Sequence, residues 1–153
     1  MPIANIDSAT KVLFLDIDGV LNTTDTMLAN KGKLRFAPAP VAAMAKILSS
    51  TDCHIVITST RRRAGLEAIK QAFRDNGLHD AADRIIDATP ILSESDTDDF
   101  RAEEICSWIR ENGFWGRFAI LDDAPIEGFP AITTSHELGL TPRDAEKAIR
   151  LLG

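Results

Sequence analysis

The chain has 153 residues, 44% hydrophobic and 26% charged, and its 17 basic and 23 acidic residues give a formal net charge of −6. These values are typical of a globular domain and exclude disordered, collagen-like and coiled-coil proteins. No apolar run reaches the ~18–20 residues of a membrane helix, and residues 1–11 lack the pattern of a secretory signal. With only two cysteines, the chain is expected to form a single cytoplasmic domain over residues 1–153, without membrane association.

Strands and helices are predicted to alternate along the chain. Short apolar runs between polar residues predict strands, and apolar residues spaced three and four apart predict helices. In chain order, strands are predicted over 11–16, 54–58, 84–87, 117–121 and 131–133, and helices over 38–50, 64–76, 101–111 and 142–152. This alternation predicts an α/β fold, a Rossmann-like three-layer sandwich in which helices cover both faces of a five-stranded, mostly parallel sheet.

Acidic side chains follow two of the predicted strands. Asp16 and Asp18 follow the first strand, and Asp122 and Asp123 follow the fourth. Because ligands in such sheets bind beyond the carboxyl ends of the strands, we expect these carboxylates to share one crevice. Two unit charges ~5 Å apart repel by roughly 3 kcal/mol at an effective dielectric of 20. The crevice therefore needs a cation, and Mg²⁺ suits oxygen ligands near a phosphorylated substrate.

The spacing of the first acidic pair favours catalysis. Asp16 is placed for nucleophilic attack, and Asp18, displaced into the following turn, is placed to move a proton. Gly19 permits a sharp exit of the chain and a close approach by substrate, and Ser59 offers a hydroxyl donor to a phosphoryl oxygen. Acidic strand ends are often only solvated, but carboxylates after two buried strands, with a serine between them, favour the catalytic interpretation.

These residues resemble the motifs of the haloacid dehalogenase-like (HAD) phosphohydrolases. Residues 16–22, DIDGVLN, resemble the first motif, residues 55–59, IVITS, the second, and residues 121–123, LDD, the fourth. Arg101 is the best match to the basic residue of the third motif, which is more often lysine.

Two further segments resemble more specialised groups within that superfamily. Residues 138–142, LGLTP, and the pair Thr89-Pro90 resemble the small HAD domains related to bacterial Swiss Army Knife RNA-repair proteins. Residues 59–61, STR, resemble the second motif of polynucleotide kinase–phosphatase phosphatase domains.

The resemblance implies a Mg²⁺-dependent phosphomonoesterase that works through an aspartyl-phosphate. It implies that Asp16 attacks phosphorus and that Asp18 protonates the leaving group and then deprotonates the hydrolytic water. It also implies that Mg²⁺ is bound by the Asp16 carboxylate, the Asp18 backbone carbonyl and an aspartate after the fourth strand, for which Asp123 is the first choice and Asp122 the second. The transferring phosphoryl oxygens would be held by Ser59 and Arg101.

The substrate is expected to be a phosphorylated small molecule or a nucleic-acid end. The usual insertion points of a cap domain are short, so the resemblance implies an open, capless site with residues 23–37 as a flap. Basic residues at 31, 33, 35 and 61–63 are expected to form a cationic rim that suits a polyanion. The candidate substrate-binding residues are Gly19, Lys33, Thr60 and Arg61.

Alternatives remain at this stage. A signalling receiver domain also combines acidic clusters, Mg²⁺ and a phosphorylated aspartate, although its acidic pair normally follows the first strand. A non-catalytic binding module is the second alternative. His136 follows the fifth predicted strand and could approach the site, although a histidine there more often caps a helix.

Overall fold

The protein, described here by a computed structural model over residues 6–29, 34–92 and 100–153, is built on one five-stranded sheet. The strands lie in the order β3-β2-β1-β4-β5, and every neighbouring pair is parallel. They are β1 (Val12–Leu15), β2 (His54–Ile57), β3 (Ile85–Ala88), β4 (Phe118–Asp122) and β5 (Ile132–Thr133). The predicted α/β sheet is confirmed.

Helices connect the strands. They are α1 (Thr24–Ala29), α2 (Pro38–Ser50), α3 (Leu66–Asp75), α4 (His79–Arg84), α5 (Arg101–Glu111) and α6 (Pro142–Leu152), and a short 3₁₀ helix (Thr60–Ala64) follows β2. The prediction missed α1 and α4, whose six residues each are too few to establish a helical period. The helix predicted from residue 64 begins at Leu66, because Gly65 has a φ of 100°, outside the helical region.

Two apolar cores lie on the two faces of the sheet. Leu13 and Leu15 of β1 face a core shared with α2, α3, α4 and α6. Val12 and Phe14 face the other core, to which α5 contributes Trp108. Because successive strand residues point to opposite faces and all four are fully buried, β1 reads as a continuous apolar run. The helix–sheet–helix layering follows from this burial on both sides.

The register brings the carboxyl ends of the three central strands to one level. Leu15 pairs with Ile57 of β2 and with Leu121 of β4. The ladder extends one residue further, because Asp16 N–H donates to the Leu121 carbonyl at 3.0 Å. Asp16 therefore lies beside Asp122 at the carboxyl ends of β1 and β4. No helix within the described ranges is long and apolar enough to cross a membrane.

Candidate active site

Three aspartates meet where β1 and β4 end. Asp16, Asp122 and Asp123 each present a carboxylate oxygen within 4.8 Å of the others. Asp16 and Asp122 are buried, and 11% of the Asp123 side chain is exposed. The strand register explains this clustering, which juxtaposes both predicted acidic segments as the sequence led us to expect.

Arg101 supplies the cation inside this cluster. Its side chain leaves the first turn of α5 and is buried, with Nη1 in contact with Asp122 Oδ2 and 3.7 Å from Asp16 Oδ2. A cation in the first helical turn opposes the helix dipole. The two buried carboxylates provide the compensating attraction, so the predicted basic residue of the third motif does lie at the strand ends.

The electrostatics of the cluster favour proton uptake when no metal is bound. Burial, together with the neighbouring carboxylates of Asp122 and Asp123, raises the pKa of Asp16 well above its usual value, although the Arg101 charge opposes the shift. Burial likewise raises the pKa of Asp122 to about 7, again against the attraction of Arg101. One guanidinium is therefore insufficient to keep both carboxyls ionised at their ordinary pKa.

Asp18 does not belong to the group of three clustered aspartates, and its carboxylate is held by two partners. Its carboxylate accepts from Arg61 Nε at 2.9 Å to each oxygen and lies 2.9 Å from Arg61 Nη2. Asn22 Nδ2 donates to Asp18 Oδ1 at 2.8 Å, and Asn22 Oδ1 accepts from Gly19 N–H at 3.0 Å. Asn22 therefore fixes the turn after β1. Asn22 closes the segment DIDGVLN that resembles the first motif, although no role was predicted for its side chain.

Position 19 requires glycine for two reasons, the backbone conformation and the closeness of neighbouring atoms. Its φ is +81°, and a Cβ there would lie 2.8 Å from both Cβ and Oδ2 of Asp123. The Gly19 carbonyl accepts from Thr134 Oγ1 at 2.7 Å. The two acidic segments are thus packed together through the bare Cα of Gly19, and Thr134, which follows β5, holds the turn. No motif or spacing in the sequence pointed to Thr134.

Ser59 follows β2 and is buried, and its hydroxyl accepts from Arg61 N–H at 3.2 Å. The next residue, Thr60, lines a cleft of about 410 Å³ together with Asp18, Arg61, Arg63 and Ala64. Side-chain exposures of 40% for Arg61 and 33% for Asp18 show that solvent reaches this pair. The Arg61–Asp18 pair therefore lines a cleft that is open to an incoming molecule.

Arg62 is wrongly included in the expected cationic rim. Its guanidinium is buried and donates to the carbonyls of Thr58, Ser59 and Thr89 at 2.8–2.9 Å and to that of Pro90 at 3.2 Å. Arg62 Nη2 also lies 2.8 Å from Glu104 Oε2. Arg62 therefore joins the ends of β2 and β3 to α5, a structural role that leaves no charge for a substrate.

The predicted flap over 23–37 is described only in part. Lys33, a predicted substrate-binding residue, and the neighbouring position 31 lie outside the described residues. Near the flap's carboxyl end, Asn76 accepts from Phe36 N–H and donates to the Leu34 carbonyl, each at 2.9 Å. Near its start, Thr24 N–H donates to the His136 carbonyl at 2.8 Å. Both described ends are therefore fastened to the body of the protein.

His136 reaches the acidic cluster. Its Nε2 lies 2.7 Å from Asp123 Oδ2, while 58% of its side chain remains exposed. Sequence position alone allowed this approach but favoured a helix-capping role, whereas in the structure the ring contacts a carboxylate after β4.

The residues present fit a hard divalent cation. The cluster offers only oxygen donors, as Mg²⁺ prefers. Asp123 Oδ1 is buried and has no hydrogen-bond partner among the described residues. An orphaned buried carboxylate oxygen is costly, and a metal ion at this point would satisfy it.

Comparison with known protein families finds a match over most of the chain. A family model described as the HAD domain in Swiss Army Knife RNA repair proteins matches residues 12–145, which include every site residue discussed above. No curated protein and no solved structure matches significantly.

Proposed function

The chain belongs to the family of HAD domains in Swiss Army Knife RNA repair proteins, and we propose from this that it is a Mg²⁺-dependent phosphomonoesterase working through an aspartyl-phosphate. The observation that carries the proposal is the cluster of buried Asp16, Asp122 and Arg101 with the partly exposed Asp123, where the strands β1 and β4 end. A carboxylate nucleophile, oxygen ligands for a cation and a fixed positive charge are the groups that phosphoryl transfer needs.

Asp16 is the proposed nucleophile. Its carboxylate oxygen forms a bond to phosphorus while the bond from phosphorus to the leaving oxygen breaks, and Asp18 gives its proton to that oxygen. Asp18 then takes a proton from a water molecule, whose oxygen attacks the aspartyl-phosphate and releases phosphate and free Asp16. Arg101 and the Ser59 hydroxyl are proposed to hold the equatorial phosphoryl oxygens.

Mg²⁺ would be held by the carboxylates of Asp16 and Asp123 and the backbone carbonyl of Asp18. When bound, it would neutralise charge on the phosphoryl oxygens. Asp123 is favoured over Asp122 as the direct ligand because both oxygens of Asp122 already have partners: Oδ2 contacts Arg101, and Oδ1 accepts from Ala124 N–H at 3.0 Å. Asp123 Oδ1 has none among the described residues.

The proposed substrate is a phosphorylated small molecule or a nucleic-acid end. Arg61 supports this, because its guanidinium faces the cleft beside Asp18 and can exchange a carboxylate for a phosphate in the same bidentate geometry. Gly19 and Thr60 would line the substrate's approach to Asp16. Lys33 remains a predicted contact from the flap.

The first test is hydrolysis of an aryl phosphate with and without Mg²⁺, followed by 3′- and 5′-phosphorylated oligonucleotides and mononucleotides. Wild type is compared with Asp16→Asn and with Asp83→Asn, a control at an exposed position on α4. We expect Mg²⁺-dependent turnover in wild type and the control, and a loss of at least ~10³-fold in Asp16→Asn.

Two outcomes would contradict the proposal. Wild-type turnover by Asp16→Asn would remove Asp16 as the nucleophile. A long-lived phosphoprotein without turnover, formed from a small phosphodonor, would indicate a receiver-like domain instead.

A further inference from the structure

Asp123 is oriented by a histidine that belongs to neither acidic segment. His136 Nε2 lies 2.7 Å from Asp123 Oδ2. A carboxylate oxygen only accepts hydrogen bonds, so the imidazole must donate through Nε2–H. The bond occupies Oδ2 and leaves Oδ1, the buried oxygen without a partner among the described residues, as the free ligand atom.

The turn after β1 also lies close to the Asp123 side chain. A Cβ at Gly19 would lie 2.8 Å from Asp123 Oδ2, so the carboxylate already packs against the bare backbone there. Thr134 Oγ1 donates to the Gly19 carbonyl at 2.7 Å and fixes that backbone. Asp123 Oδ2 is therefore close to both Gly19 and His136, and of the two only the imidazole gives it a hydrogen bond, which leaves Oδ1 for a ligand.

His136 is itself held in place. Its carbonyl accepts from Thr24 N–H at 2.8 Å and from Thr24 Oγ1 at 3.3 Å, at the first residue of α1. Gly139 N–H donates to the Ser135 carbonyl at 2.7 Å and closes the tight turn that carries the histidine. The ring is thus presented by backbone anchored on both sides, although more than half of it is exposed.

We propose that His136 is a positioning residue for the metal site: it fixes Asp123 for binding Mg²⁺ and connects that carboxylate to the start of α1. The inference rests on the proposed metal-dependent function. Partners that orient a metal-ligating carboxylate typically change metal affinity by 10–100-fold when removed. His136 contacts Asp123 alone among the clustered aspartates, so its loss should weaken metal binding while leaving the nucleophile in place.

The test measures Mg²⁺ affinity directly, by isothermal titration calorimetry and by the shift in thermal unfolding with Mg²⁺ concentration. His136→Leu and His136→Ala remove the donor, His136→Gln retains an N–H at similar reach, and His79→Leu is the control at an exposed histidine away from the site. We expect the Mg²⁺ dissociation constant to rise at least about 10-fold in the leucine and alanine variants and to return within about 3-fold of wild type in His136→Gln.

Activity gives a second readout. The Mg²⁺ concentration for half-maximal turnover should rise in His136→Leu, while kcat at saturating Mg²⁺ stays close to that of wild type. Unfolding is also measured without Mg²⁺, so that any stability lost with the His136–Asp123 hydrogen bond is separated from the loss of Mg²⁺ binding.

The outcomes separate this inference from the proposed function. Unchanged Mg²⁺ affinity in His136→Leu and His136→Ala, beside a wild type that binds Mg²⁺, would overturn the role of His136 alone. Affinity lost equally in His136→Gln would overturn the hydrogen-bond account. A wild type that binds no Mg²⁺ would overturn the proposed metal site and this inference with it.

Discussion

Among the described residues, Arg101 supplies the buried positive charge that faces Asp16 and Asp122. Its guanidinium contacts Asp122 and lies 3.7 Å from Asp16, and all three side chains are buried. Removing one member of a buried ion pair typically costs 3–5 kcal/mol because the remaining charge is uncompensated.

We therefore expect Arg101→Met to lower the metal-free free energy of unfolding by about 3 kcal/mol near pH 8 and to abolish turnover. The loss should be smaller near pH 5, where protonation relieves the unpaired carboxylates. Urea unfolding at both pH values measures this, with Arg110→Met, exposed on the same helix, as the control. Equal losses at both pH values would show that packing, not charge, is what Arg101 supplies.

A second prediction concerns Gly19. An alanine at a positive φ costs roughly 1–2 kcal/mol from the backbone alone, and at Gly19 the added Cβ would also lie 2.8 Å from Asp123. Gly77 is a matched control, because its φ is +83° and nothing lies within 4 Å of the place its Cβ would take.

Gly19→Ala should therefore weaken Mg²⁺ binding at least about 10-fold by displacing Asp123, since metal sites depend on how their ligands are held. Gly77→Ala should lose stability only. Calorimetric titration with Mg²⁺ and urea unfolding of both variants separate the two effects. Equal Mg²⁺ affinities in the two variants would contradict the close packing of Gly19 on Asp123.

Between elements, Arg62 joins three parts of the fold. It binds carbonyls after β2 and after β3 and forms a buried ion pair with Glu104 of α5. Lysine has one ammonium and cannot reproduce a planar guanidinium that donates in several directions.

We expect Arg62→Lys to cost about 3 kcal/mol of stability, because buried carbonyls and Glu104 lose their partners. Arg143→Lys, at an exposed position of α6, should change stability by less than about 0.5 kcal/mol. Thermal and urea unfolding report the difference. An Arg62→Lys protein as stable as wild type would mean that the network contributes no net stability.

The strands and helices that could be predicted from the sequence are those with a regular hydrophobic pattern. Buried strands and amphipathic helices have a period that the sequence displays, so β1, β2, α2 and α5 were expected within about one residue of their observed bounds. Strand ends in a parallel sheet then place Asp16 near Asp122. The consecutive arginines at 61–63 show no such pattern. Their different environments depend on the 3₁₀ helix, in which Arg62 is buried and Arg61 pairs with Asp18.

The different partners of Asp122 and Asp123 could not be predicted from the sequence either. Asp122 and Asp123 are adjacent and chemically identical, and their different partners arise because Asp122 ends β4 and faces Arg101 while Asp123 turns toward Gly19 and His136. His136 reaches Asp123 through the parallel pairing of β5 with β4. A contact of this kind depends on the fold, not on local spacing.

For the molecule as a whole, the acidic cluster sets how stability varies with pH. Because burial raises the pKa of Asp16 well above its usual value and raises the pKa of Asp122 to about 7, the folded protein binds more protons than the unfolded chain between about pH 4 and pH 7. The contribution of these groups is therefore fully present at low pH and is lost as the pH rises through the folded pKa.

The metal-free protein should lose on the order of 3 kcal/mol from these groups between about pH 5 and pH 8. Mg²⁺ should reverse the trend because it binds the ionised carboxylates. Urea unfolding across this range, with EDTA or with Mg²⁺, measures both slopes. Asp122→Asn should flatten the metal-free slope, and an unchanged slope in that variant would assign the pH dependence to other groups.

The parallel pairing of β1 with β4 has a consequence for how the protein is made. Residue 12 pairs with residue 118, so the central strand leaves the ribosome long before the neighbour on one of its sides. Until β4 is synthesised, β1 keeps one edge open to wrong partners, and Asp16 stays clear of the carboxylates that would repel it. The polypeptide thus gains its buried charges only after β1, β2 and β3 have been synthesised and can pair, and an interruption of synthesis before residue 118 would leave a chain without its site and with an exposed edge.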